Sequence, residues 1–179
     1  LYTRNLDEDP ERLVRRNWYT LIASYYPDAI IADRTALESK PAEDGSVFLI
    51  SAKRRDTELP GLVLRPRPGP GALDSDRVFG GARLASTARA YLENLRPSRG
   101  RKDRTSRVIE RGELERRLDA MIRQQGEAGV NRLRDDARRI APELGYEAEA
   151  DELDNLIGSL LGTREAEMQS EIGKARLAG

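Results

Sequence analysis

The chain has 179 residues, 31 Lys and Arg balanced by 31 Asp and Glu, 38% hydrophobic residues, and neither histidine nor cysteine. That length admits one substantial core or two small ones. Without His and Cys there is no Ser-His-Asp triad, Cys-His dyad, zinc finger, disulfide or imidazole base, which leaves carboxylate, lysine, tyrosine and hydroxyl chemistry.

No apolar run approaches the eighteen or so residues of a membrane span, and no signal-peptide core is present. With zero Cys, the expected location is cytoplasmic. Charge is uneven along the chain: residues 96–117 are rich in Arg and Lys, and 143–154 is acidic.

Leu1-Tyr2-Thr3 reads as the tail of a strand, and Lys174–Gly179 stops without a terminating element, so the chain is expected to be a piece of something longer. Asp9 as N-cap and Pro10 at the first helical position start a helix expected to run to about Tyr26, where Pro27 ends it. Leu13, Val14, Leu21, Ile22 and Tyr25 form its apolar stripe, with Trp18 near the same face. Ala29–Ala32 reads as a short buried strand, after which Asp33 is expected to cap a short helix through Glu38.

Residues 41–85 read as β. Ser46–Ile50 is a strand, Lys53–Asp56 a charged loop, Pro60-Gly61 a turn and Leu62–Arg65 the next strand. Pro66–Gly71 is expected at an edge or in a loop, since proline donates nothing to a ladder. Arg77–Phe79 and Ala82–Leu84 flank Gly80-Gly81, and Ser86 caps a helix through Leu95. Pro97–Thr105 is polar and basic and reads as a linker. Three amphipathic helices follow, at about 108–125, 127–142 and 146–161, with Pro142 and Gly145 punctuating the last two.

Candidate contact residues for nucleic acid or a partner are Lys53, Arg54 and Arg55 on a loop, and Arg99, Arg101, Lys102 and Arg104 in the linker, within a basic run that extends from Arg96 to Arg107. The linker run has no interleaved aromatics for base stacking, and a solvated linker is the favoured reading of it. Carboxylates such as Asp135, Asp136, Glu143, Glu147, Asp151 and Asp154 stand at helical spacing from Arg132, Arg134, Arg138 and Arg139, so ion pairs are favoured over a metal site. Pro66–Gly71 lacks the Gly-Lys-Ser/Thr ending and the N–H donors of a phosphate loop. Trp18, Tyr19, Tyr25 and Tyr26 read as core packing. No catalytic, metal-binding or cofactor-binding residue is assigned, and no cofactor is expected.

Two stretches carry family resemblances. Pro27-Asp-Ala-Ile-Ile-Ala-Asp-Arg-Thr-Ala-Leu-Glu38, followed by strand Val47–Ser51, resembles the core of AbiEi-type abortive-infection antitoxin domains. Helix Ala85–Asn94 is similar to the closing helix of the same domain. The resemblance marks Asp33, Arg34, Thr35, Leu37, Glu93 and Asn94 as family-motif, structural positions. In that family a winged helix-turn-helix comes first, and residues 1–4 would be its end. Leu153–Thr163 resembles the segment preceding the catalytic domain of large bacterial Fic-family proteins, some of which carry an AbiEi-like N-terminal region.

Fic proteins transfer AMP or another phosphate-containing group to hydroxyls through an H-P-F-x-x-G-N-G-R loop. This chain has no histidine for it. The inhibitory pattern [S/T]-x-x-x-E-[G/N] of that family is only approached, by Ser106–Glu110, followed by Arg111, and by Glu93-Asn94, with Arg89 where Ser or Thr is required.

The expected fold is α+β: a small mixed sheet of three to five strands with flanking helices over 1–95, a basic linker over 96–106, and a small helical module over 107–179. The expected role is that of a non-catalytic regulatory and interaction region of a Fic-type protein, possessing no enzyme activity of its own. Its expected partners are a downstream Fic domain or a toxin, with DNA bound through the winged helix and no membrane. The alternatives are a free-standing AbiEi-like antitoxin or transcriptional regulator, and an enzyme working through carboxylates.

Overall fold

A computed structural model describes residues 8–98 and 105–177. The fold is α+β, with a mixed six-stranded sheet, flanking helices and a C-terminal helical part. The chain divides into two compact units, the first ending at Val108 and the second beginning at Ile109.

The first unit opens with α1 (Pro10–Arg16), capped as anticipated by Asp9, whose carboxylate accepts from the Arg12 N–H. The single helix expected to Tyr26 is two, because Asn17 interrupts it at φ −108° and ψ 21°. Its side-chain amide takes the Leu13 carbonyl at 2.9 Å, the local competition that makes Asn a poor helix-interior residue. Helix α2 (Trp18–Tyr25) follows.

Six strands then form, one more than the upper expectation: β1 (Ile30–Ile31), β2 (Ser46–Ile50), β3 (Thr57–Leu59), β4 (Leu62–Arg67), β5 (Arg77–Phe79) and β6 (Ala82–Leu84). Their order across the sheet is β3-β4-β2-β1-β6-β5. Pairs β2–β4 and β1–β6 are parallel, and the rest are antiparallel. The unanticipated strand is β3, a hairpin partner of β4 across Pro60-Gly61.

Pro66 lies inside β4, second from the edge, not in an edge or loop. It is tolerated there because β3 pairs with β4 only as far as Leu64. Val63 N–H and Arg67 C=O both bond towards β2, so Pro66 faces the opposite, unpaired side, where a missing donor costs nothing.

Val47, Leu49, Leu62 and Leu64 pack with Val14, Trp18, Leu21 and Ile22 of α1 and α2 in the apolar core. The residues between them, Ser46, Arg65 and Arg67, point to the other face. There α3 (Asp33–Glu38) lies on β2 and packs on α4 (Thr87–Leu95), which Ser86 caps as expected. Trp18 and Tyr26 are buried, Tyr19 and Tyr25 are half-buried against the core, and Trp18 and Tyr19 meet edge to face with ring centroids 6.0 Å apart.

In the second unit α5 (Arg111–Leu144) is broken at Gly126, which has φ 68° and ψ −175°. It is followed by α6 (Glu147–Leu177). A straight helix would hold residues 111 and 138 about 40 Å apart. Yet Arg111 bonds Glu152 and Arg138 bonds Asp154, neighbours on α6. The chain therefore reverses at Gly126, and the three segments run up, down and up around Leu118, Ile122, Val130, Leu133, Ile140, Leu153 and Ile157.

Pro142 does not stop the middle segment, which continues to Leu144 and ends at Gly145 in the left-handed conformation. The last helix continues to Leu177, beyond the expected 161. Among the described residues no helix is long and apolar enough to cross a membrane.

Candidate functional site

Asp33 stands where β1 hands over to α3. It does not cap that helix: the N-cap residue is Ala32, and no side chain caps the end. Asp33 is instead the first helical residue, in the left-handed region at φ 52°, and is wholly buried. A non-glycine residue held there stores strain that the surroundings must over-determine. They do so with charge. Arg67 forks onto the carboxylate through Nε and Nη2, both at 2.7 Å, and Arg107 Nη1 reaches Oδ1 at 2.9 Å. The Asp33 backbone N–H donates to Glu93 Oε2 at 2.9 Å.

Glu93 extends the cluster. Its Oε1 accepts from Arg89 Nε at 2.9 Å, the i,i+4 spacing of one helix face, and lies 3.8 Å from Arg67. Arg89 also donates to Asp76 Oδ2 at 2.6 Å and to the carbonyls of Gly71 at 2.8 Å and Pro70 at 2.9 Å. Asp76 in turn accepts the N–H groups of Leu73 and Ser86. The side chains of Asp33, Asp76, Arg89 and Glu93 are all 0% exposed.

Three carboxylates and three guanidiniums thus balance on the α3–α4 side of the sheet. Burial raises the Glu93 carboxyl above its ordinary value, the Asp33 charge adds to that, and Arg89 opposes it.

The remaining motif positions also do local structural work. Thr35 Oγ1 accepts the Phe48 N–H at 2.9 Å, tying α3 to β2. Arg34 bonds Glu38, Leu37 packs partly buried on the core, and the Asn94 amide holds the Ala90 carbonyl at 2.8 Å. The sequence motif thus marks Asp33 and Glu93, 60 positions apart, as two halves of one cluster. It misses Arg67, Asp76 and Arg107. Their signal was faint: Arg65 and Arg67 alternate on a strand face where apolar residues are the norm, and only the Arg89–Glu93 spacing was openly helical.

The basic candidates are not gathered at this cluster. Lys53 Nζ bonds the Tyr25 carbonyl at 2.9 Å and sits over the Tyr26 ring, while Arg54 and Arg55 are exposed. Arg99, Arg101, Lys102 and Arg104 lie outside the described residues. On the helical unit, Arg134 and Arg138 pair with Asp154, and Arg139 pairs with Asp136. Among the described residues no three His, Cys, Asp or Glu side chains are grouped to hold a metal.

Two open clefts mark the α/β unit. One of about 410 Å³ is lined by Arg15, Arg34, Glu38, Lys40 and Glu43, and one of about 350 Å³ by Ile30, Ile50, Ser51, Arg54 and the Pro68–Ala72 loop. Arg89 fixes the second cleft's loop wall through the Pro70 and Gly71 carbonyls. Compared with known proteins, the chain matches no family model, no curated protein and no solved structure.

Proposed function

We propose that this chain is a non-catalytic regulatory and interaction region of a Fic-type AMP-transferring protein, built on an AbiEi-antitoxin-like α/β domain. The observation that carries the reading is the state of its motif residues. Asp33 and Glu93 are sealed from solvent and neutralised by Arg67, Arg89 and Arg107. A general acid, base or nucleophile must reach its substrate. Carboxylates spent in this way hold a scaffold in shape, and the work of the domain passes to its surface and to the chains attached to it. On this reading the α/β unit positions a downstream catalytic domain or couples a DNA-binding element to it.

The test is transfer of radiolabelled AMP from ATP to protein. The expected result is none with this chain alone, transfer by the longer gene product, and a changed rate when residues 8–177 are deleted from that product. Transfer by this chain alone, or an unchanged rate after deletion, overturns the proposal. Co-purification of a separate toxin polypeptide in place of a fused catalytic domain points to a free-standing antitoxin.

A further inference from the structure

The last four residues of the first unit, 105–108, are irregular chain, bent at Arg107 and Val108, that bonds to Asp33 and Arg34 of α3, to Asp44 and to Pro97. None is buried, so no core side chain anchors them. Their grip on the unit is polar and unequal. The Thr105 N–H reaches Asp44 at 3.4 Å, with a Thr105 side-chain hydrogen bond to the same carboxylate beside it, and Arg34 Nη1 reaches the Ser106 carbonyl at 3.4 Å. The three short bonds all pass through one residue. Arg107 Nη1 meets Asp33 at 2.9 Å, its Nη2 meets the Pro97 carbonyl at 2.8 Å, and its own carbonyl accepts the Arg34 N–H at 2.8 Å.

We propose that residues 105–108 form a releasable strap, with Arg107 as its main pin, that docks and undocks while the α/β unit stays folded. Release is cheap for a specific reason. Asp33 is fully buried and could not be left charged and alone, but Arg67 holds it bidentately whether Arg107 is present or not. Arg107, 22% exposed when seated, returns to water. The Arg34 amide belongs to a half-buried residue, not to the sealed core. The buried network therefore survives the departure of its outermost member, and the strap opens as a local unit.

The strap immediately precedes Ile109, where the second unit begins. Undocking frees these four residues from the α/β unit. This inference is independent of the Fic-type reading and holds for any protein containing the two units.

Amide hydrogen exchange on the whole chain, read by NMR, tests it. The Arg34 N–H reports on the strap, and the Phe48 N–H, bonded to Thr35, reports on the folded unit. In the native chain Arg34 is expected to exchange faster than Phe48. Arg107→Gln should speed Arg34 by roughly tenfold or more, the loss of one or two good hydrogen bonds, while leaving Phe48 unchanged. Arg107→Lys, which keeps the charge beside Asp33 but loses the fork, should give a smaller acceleration and secures the comparison if the Gln variant folds poorly. Equal rates at Arg34 and Phe48 in the native chain overturn the proposal. So does parallel acceleration of both amides, or an Arg34 rate that neither variant changes.

Discussion

Replacing Arg89 by Met is the sharpest perturbation the α/β unit offers. Met fills much of the same volume, so the experiment removes charge and donors more than it opens a cavity. Four acceptors lose a donor at once: the carboxylates of Asp76 and Glu93 and the carbonyls of Pro70 and Gly71. The two carboxylates keep backbone N–H donors, and Glu93 keeps the more distant Arg67. Both carboxylate side chains are fully buried, so water does not replace what is lost.

Breaking a buried ion pair by deleting one partner costs about 3–5 kcal/mol, against a total domain stability of roughly 5–15 kcal/mol. For a unit of this size, that lowers Tm by at least roughly 12 °C. Trp18 is the only tryptophan, is buried and lies in this unit, so denaturant unfolding followed by its fluorescence reads the α/β unit alone. A loss below about 1 kcal/mol would refute the claim that the network is dry and interdependent.

The sign of the pH effect is a second check. The folded-state pKa of Glu93 is already raised, by burial first, and losing Arg89 raises it further. A carboxyl of that kind favours the folded state while protonated and disfavours it as pH rises past the ordinary value of 4.5. The penalty of Arg89→Met must therefore shrink on acidification towards that value. A penalty that grows instead rejects the assignment.

The remaining predictions probe separate features. Gly80 has φ +57°, and a Cβ there would lie 2.0 Å from the Tyr19 ring, so Gly80→Ala should cost about 1–3 kcal/mol by the Trp18 assay. Gly71→Ala has no atom within 4 Å and no positive φ, so it should be neutral or stabilise by about 0.4–1 kcal/mol. Gly126 occupies a backbone region that is nearly glycine-only, so Gly126→Ala should destabilise the helical unit by about 1–3 kcal/mol, measured by circular dichroism. Asp44 lies below its ordinary 3.8 because hydrogen bonds from Ser46 and Thr105 outweigh its burial. Its contribution is present above that value and lost as pH falls through the folded pKa, and Asp44→Asn should abolish that acid-limb loss in a pH series of unfolding midpoints.

What the sequence made legible follows the range of the forces involved. Asp9, Pro10 and Ser86 act within one helical turn, and they mark the helix starts that form. Gly126 and Gly145 fall where the helical pattern breaks, and the chain reverses or stops there. Failures arose where a distant partner decided the outcome. Asp33 has the composition of an N-cap, and what prevents that role is Arg67, 34 positions away. Pro66 sits in a strand because β3 is too short to need its donor, which no local rule reports. The Arg107 contact was illegible for the same reason: inside a basic run it looks like solvated linker, yet its partner lies 74 positions back.

This distinction also bears on what the family resemblance can carry. Asp33, Thr35 and Glu93 each satisfy a buried or backbone polar group, so replacing any one of them strands a partner, whereas Asn94 only adds a second bond to the Ala90 carbonyl. These side chains are committed to the scaffold of this unit. Their presence is therefore an argument about the fold of the α/β unit and is silent on chemistry. Evidence for a regulatory role has to come from the parts that are free to differ. Those are the two clefts, the exposed Arg54 and Arg55, and above all the Arg107 strap, where the scaffold's buried charge reaches the surface and meets the chain leading to the second unit.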